Sequence, residues 1–113
     1  MIGPRVAVID YGMGNVWSVI SALKYLGATV ELVRDPEVLV QAKTMILPGV
    51  GSFRKGMGNL KESRIDEAIR LAVTANNARV LGICLGMQLL GSQSTEGGKT
   101  AGLGLIANRV EAF

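Results

Sequence analysis

The sequence predicts an α/β protein built on a doubly wound, mostly parallel sheet. Short β-branched apolar runs recur at residues 5–10, 29–33, 44–47 and 79–83. Amphipathic segments with helical spacing separate them, and glycines or prolines mark their ends. Hydrophobic residues make up 49% of the chain, against 19% charged and 4% aromatic, a balance that suits strands buried on both faces.

Taken in order, the run Arg-Val-Ala-Val-Ile-Asp at 5–10 reads as a buried strand ending at glycines. Asn15 is placed to cap a helix whose apolar residues Val16, Val19, Ile20, Leu23 and Leu26 follow 3.6-residue spacing. Gly27 falls where that helix should stop. Residues 29–33 form a second strand, and Asp35-Pro36 supplies a cap and first position for a short helical turn. A third strand at 44–47 is terminated by Pro48-Gly49-Val50-Gly51. Ser63 and Asp66 make a Ser-x-x-Asp capping pattern before a helix with Ile65, Ile69, Ala72 and Val73 on one face. Residues 79–83 are the fourth strand and 85–90 open another helix. Gly97, Gly98, Gly102 and Gly104 mark a loop before a last strand near 109–113. There is no internal repeat, linker or low-complexity tract, so 113 residues make one domain or part of one.

The net charge of +3 arises from scattered Lys and Arg. The densest basic cluster, Arg54, Lys55, Lys61 and Arg64, is interrupted by glycines and a glutamate. It reads as a solvated rim and argues against nucleic-acid binding. One cysteine rules out an internal disulfide framework, and one cysteine with no histidine argues against a zinc site. No apolar stretch reaches the roughly 18 uninterrupted residues of a membrane span. The N-terminus lacks a signal-peptide pattern, so a cytoplasmic location is expected. The absence of histidine removes the commonest general base from any mechanism confined to these residues.

Gly82-Ile83-Cys84-Leu85-Gly86 has the form G-x-C-x-G between a predicted strand and a predicted helix. That is the thiol version of a nucleophile elbow, in which small flanking residues permit a tight strand-to-helix turn. The helix start favours a thiolate, and the Leu85 N–H is positioned to bond an oxyanion formed on attack. The plainer alternative is a buried cysteine used as a small hydrophobe. Pro48-Gly49-Val50-Gly51 should open on the same sheet edge and offer a second oxyanion donor, although alone it would read as an ordinary turn. Gly12-Met13-Gly14 invites a dinucleotide-binding reading, but Trp17 stands where the third glycine of G-x-G-x-x-G is needed. Trp17 itself reads as a packing or interface residue.

These motifs together resemble the class I, or triad, glutamine amidotransferases, and within them the glutaminase subunits of imidazole glycerol phosphate synthases. The matching stretches are Ile9-Asp10-Tyr11-Gly12-Met13-Gly14-Asn15, Leu47-Pro48-Gly49-Val50-Gly51-Ser52-Phe53 and Gly82-Ile83-Cys84-Leu85-Gly86-Met87-Gln88-Leu89-Leu90. The tail Glu96-Gly97-Gly98 through Gly102-Leu103-Gly104-Leu105-Ile106, with Arg109-Val110, also fits. They follow the family's order and spacing across essentially the whole chain.

The resemblance implies a flavodoxin-like sheet and a set of roles. Cys84 would attack the side-chain amide of glutamine, giving a γ-glutamyl thioester and ammonia. Backbone at Val50 and Leu85 would form the oxyanion hole, and Gly49, Gly51 and Gln88 would contact the glutamine. Asp10, Tyr11, Gly12, Met13, Gly14 and Asn15 would lie near the interface with a (β/α)-barrel cyclase subunit, which receives the ammonia in histidine biosynthesis. No cofactor or metal is implied. The family completes its triad with a His-x-Glu pair near the C-terminus, and no histidine occurs here. Residues 1–113 are therefore expected to be the N-terminal part of such a domain, incomplete on its C-terminal side and nearly inactive alone. Its uncovered sheet edge is expected to promote self-association. The competing readings are a glutaminase of another pathway, such as the pyridoxal phosphate or anthranilate synthase type, and a non-catalytic partner-binding fragment.

Overall fold

The computed structural model describes residues 4–14, 16–49, 51–83, 85–91, 93–94, 100–105 and 109–110. Four strands, β1 (Arg5–Ile9), β2 (Thr29–Val33), β3 (Thr44–Leu47) and β4 (Arg79–Gly82), form a parallel sheet in the order β2-β1-β3-β4. Val8 stands opposite Leu32 on one side and Ile46 on the other. Each crossover carries helix, as parallel neighbours require: α1 (Val16–Tyr25), α2 (Pro36–Leu39), then α3 (Phe53–Glu62) with α4 (Ile65–Asn76). A last short helix, α5 (Leu85–Leu89), leads to a small sheet of β5 (Gln93–Ser94), β6 (Thr100–Ala101) and β7 (Arg109–Val110), ordered β6-β5-β7.

The period-two alternation of the strands sorts their side chains between two apolar layers. Val6, Val8 and Ile46 pack with Ile20 and partly buried Val16, Val19 and Leu23 of α1. Ala7, Ile9, Met45 and Leu47 face the other way, against Leu39, Phe53, Met57, Leu60, Ile69 and Leu89. Burying each large side chain contributes about 1.5–3 kcal/mol, so the second layer is the main source of cohesion.

The helix ends are chemically specified. α1 stops at Gly27, whose φ of 91° suits a residue without a β-carbon. Its N–H donates to the Lys24 carbonyl and the Ala28 N–H to Leu23, the paired bonds of a Schellman termination. Asp35 caps α2 as expected, its carboxylate accepting the Glu37 N–H at 2.9 Å with Pro36 in the first turn.

Two expectations need correction, and one helix was not foreseen. That element is α3, which runs through the basic segment and buries Phe53, Met57 and Leu60, while Arg54, Lys55, Lys61 and Arg64 stay exposed as the solvated-rim reading expected. Ser63 does not cap α4: its hydroxyl donates back to the Asn59 carbonyl at 2.8 Å, closing α3. The position before α4 is Arg64, in the left-handed region with φ 65° and no side-chain cap. Leu26, assigned to the apolar face of α1, lies past the helix end and is exposed. Of the segment read as a glycine loop before a last strand, positions 97–98 and 111–113 lie outside the described residues.

Candidate functional site

At the carboxyl edge of the sheet, three segments converge: residues 10–14 after β1, 48–51 after β3, and the start of α5 after β4. A parallel sheet brings all such ends to one edge, where ligands of doubly wound folds bind. Another groove of about 580 Å³ opens at the amino ends of the strands, bordered by Arg5, Thr29, Lys43 and Thr44. It shares none of the motif residues.

Glycine permits the close approaches at this edge. A β-carbon on Gly86 would overlap the Leu47 carbonyl, and one on Gly49 would overlap the Tyr11 hydroxyl. Gly51 has φ 116° and lies against the Met13 methyl group. Gly14, with φ 96°, faces the backbone of Gly49: a β-carbon there would stand 3.0 Å from the Gly49 α-carbon. The predicted requirement for small residues therefore has named neighbours behind it.

Tyr11 and Met13 are buried, at 6% and 7% exposure. The Tyr11 hydroxyl donates to the Pro48 carbonyl, and Asn59 of α3 donates to the Tyr11 carbonyl at 3.1 Å. Burial pushes the Tyr11 phenol well above its ordinary pKa, because the phenolate would lose its hydration. These two side chains, expected near a partner, are thus committed to the 48–51 loop. Only Asp10, Gly12 and Gly14 of the described stretch reach the surface. The Asp10 carboxylate accepts from Arg34 Nε at 2.7 Å, an ion pair with an exposed guanidinium and little stabilising weight. Trp17 is 68% exposed, which excludes the core-packing role.

β4 ends at Gly82 and α5 begins at Leu85, with the Gly86 N–H donating to the Ile83 carbonyl at 3.0 Å. The strand-to-helix junction thus falls where the elbow motif placed it. Cys84 itself, with Val50 and Asn15, lies outside the described residues. The Leu85 N–H donates to the Gly49 carbonyl at 3.1 Å. That donor is engaged within the protein, and bonding an oxyanion there requires Gly49 to release it. Gln88 is half-buried on α5, and Gly51 is exposed. Among the described residues no group of three or more His, Cys, Asp or Glu could hold a metal ion. None of their helices is long and apolar enough to cross a membrane.

The sequence reading missed the anchors. Nothing in a single asparagine marks Asn59 as the support of Tyr11. Arg70 likewise ties α4 to the later segment, donating to the Leu103 carbonyl at 3.0 Å and to Asp66 at 3.3 Å.

A parallel sheet with a strand-to-helix junction at the G-x-C-x-G segment, beside a glycine-rich loop, is the arrangement of a nucleophile elbow. The family model for class-I glutamine amidotransferases matches residues 7–109. The chain belongs to that family. Similar curated proteins include imidazole glycerol phosphate synthase subunit HisH from Geobacillus kaustophilus, 53% identical over 108 residues, covering 96% of this chain and 51% of that one. The subunit of the same name from Symbiobacterium thermophilum is 47% identical over 106 residues, covering 94% and 50%. A solved structure described as a glutamine amidotransferase superposes with a TM-score of 0.81 at 27% identity, covering 94% of this chain and 55% of its own. The chain spans about half the length of the curated relatives it matches.

Proposed function

We propose that these residues form the nucleophile-bearing half of a glutaminase that supplies ammonia to a cyclase in histidine biosynthesis. The observation that carries the reading is the strand-to-helix junction between Gly82 and Leu85, set against the Pro48–Gly51 loop at one sheet edge. Relatives named HisH, alike over nearly all of this chain, support the assignment to that pathway.

In the proposed reaction the Cys84 thiolate attacks the side-chain carbonyl carbon of glutamine. The carbonyl oxygen gains the negative charge, stabilised by backbone N–H groups of Val50 and Leu85, the latter after Gly49 gives it up. The carbon–nitrogen bond then breaks, the departing nitrogen takes a proton from water, and ammonia leaves a γ-glutamyl thioester on Cys84, the hydroxide so formed being consumed in the hydrolysis that follows. Water hydrolyses the thioester to glutamate and returns the thiol. Gly49, Gly51 and Gln88 contact the substrate. The 113 residues contain no histidine, so the general base of the family's triad is not among them, and turnover by these residues alone is very slow.

Partner contact falls on Asp10, Gly12, Gly14 and Asn15, facing a (β/α)-barrel cyclase. The outer side of β4, which pairs only with β3 among the described strands, offers an edge for self-association.

Cys84 is the sole cysteine, so intact-mass analysis after incubation with glutamine, or with a chloroketone analogue of glutamine, reads it directly. The expected result is an adduct absent from Cys84→Ser. No adduct from either compound overturns the proposal.

A further inference from the structure

We infer that Tyr11 is a positioning residue for the backbone that binds the oxyanion: its hydroxyl sets the plane of the Pro48–Gly49 peptide. The inference rests on the glutaminase reading and extends it to a side chain that touches neither glutamine nor the thiol.

The argument begins with proline. The ring fixes φ of Pro48, which leaves ψ as the one soft dihedral orienting its carbonyl. The following peptide is planar and trans, so whatever holds the Pro48 oxygen also aims the Gly49 N–H in the opposite direction. The Tyr11 hydroxyl supplies that hold. On a glycine-rich loop nothing else local would supply it, because Gly49 has no side chain to restrict its own rotation.

Tyr11 is itself fixed at both ends. Asn59 bonds its carbonyl at 3.1 Å, and the ring is buried, so the hydroxyl cannot swing away. The hydroxyl stands over the Gly49 α-carbon, in the space a β-carbon would take. Gly14 meets the same α-carbon from the 10–14 loop. The loop is therefore gripped at Pro48 and flanked at Gly49, while the Gly49 carbonyl is held by Leu85 at 3.1 Å. Tyr11 thus fixes the peptide that precedes Gly49, while Leu85 holds the carbonyl that follows it. A phenol is protonated throughout the neutral range, so the hydroxyl remains a donor there.

The test compares Tyr11→Phe with the unaltered chain, using two electrophiles on the single thiol. A chloroketone analogue of glutamine needs the oxyanion site, whereas iodoacetamide needs only the thiolate. The expected result is a chloroketone rate lowered about 10-fold or more, by misplacement of the loop, with the iodoacetamide rate changed by less than about twofold. Equal rates, or rates that fall together, overturn the inference. In the unaltered chain, NMR should show a slowly exchanging Tyr11 hydroxyl proton with a cross-peak to the Gly49 α-protons; its absence overturns the inference even where the variant fails to fold. No preference for the chloroketone in the unaltered chain overturns the glutaminase reading and, with it, the role of Tyr11. A preference that survives Tyr11→Phe overturns the role of Tyr11 alone.

Discussion

Gly86 packs with its α-carbon against the Leu47 carbonyl, in space too small for a single methyl group. The Leu47 oxygen accepts the Ile83 N–H at 3.0 Å, so it cannot retreat without breaking the junction between β4 and α5. The second glycine of the elbow is thus a packing requirement between the end of β3 and the start of α5, whatever the chemistry of the thiol. Gly86→Ala should cost about 3 kcal/mol through overpacking. Thermal unfolding should show it as a fall in Tm of roughly 12 °C or more, and a fall under about 2 °C would contradict the packing described.

Tyr11 predicts an alkaline limb in stability. Its folded pKa is raised above the unfolded value of 10.0. The unfolded chain therefore loses that proton first, and the contribution is fully present below pH 10.0 and lost as pH climbs towards the folded pKa. The stability difference between the unaltered chain and Tyr11→Phe, measured by denaturant titration, should be constant from neutral pH to about pH 9 and shrink above pH 10. At neutral pH the variant should lose about 1–3 kcal/mol, because the buried Pro48 carbonyl is left without its donor. A difference that does not change with alkaline pH would show that the phenol ionises equally in both states.

Much of the fold was legible because hydrophobic period and turn chemistry agreed. The strands at 29–33 and 44–47 fall where β-branched runs placed them, and Gly27 and Asp35 act as the stop and cap their positions implied. The missed element, α3, shows where local rules mislead. Gly56 and Gly58 lower its intrinsic helix propensity, and its charges suggested a rim. Yet Ser52 caps it, accepting the Lys55 N–H at 3.1 Å, and Phe53, Met57 and Leu60 recur at the i, i+4, i+7 spacing of one buried face. Gly56 is there for contact: a β-carbon would come within 3.2 Å of the Leu89 side chain. At the site, motif spacing located the junction and the loop. It could not show that the Leu85 N–H is engaged by Gly49, or that Tyr11 grips Pro48, since both join segments more than thirty residues apart.

Arg70 predicts how the later segment is retained. Its guanidinium bonds the Leu103 carbonyl and the largely buried Asp66 carboxylate. The N–H groups of Leu103, Gly104 and Leu105 are tied in turn to Leu89, Gly91 and Leu90. Arg70→Ala leaves Asp66 without this partner and releases one end of that segment, at a cost of about 1–2 kcal/mol given the partial exposure of the arginine. Hydrogen exchange should accelerate roughly 10-fold at the amides of 103–105 and remain unchanged at β1 and β3. Uniform acceleration would indicate global destabilisation and defeat the local account.

Gly14 predicts coupling between the two loops. Its φ of 96° lies in the left-handed region, and a β-carbon there would stand 3.0 Å from the Gly49 α-carbon and 3.1 Å from its nitrogen. Gly14→Ala therefore carries both backbone strain and an overlap with backbone that has no flexible end to move, together about 2–4 kcal/mol. The overlap bears on Gly49 from one side while Tyr11 holds the preceding carbonyl from another. The two substitutions disturb the same peptide, so their effects should not add. In a double-mutant cycle on the chloroketone rate, Tyr11→Phe should lower the rate by about 10-fold in the parent but by less than about threefold in the Gly14→Ala background, because the loop is already displaced there. Iodoacetamide rates through the same cycle report whether the thiol itself has changed. Additive effects on the chloroketone rate would mean that Gly14 and Tyr11 act on separate features, and that their shared contact with Gly49 transmits nothing.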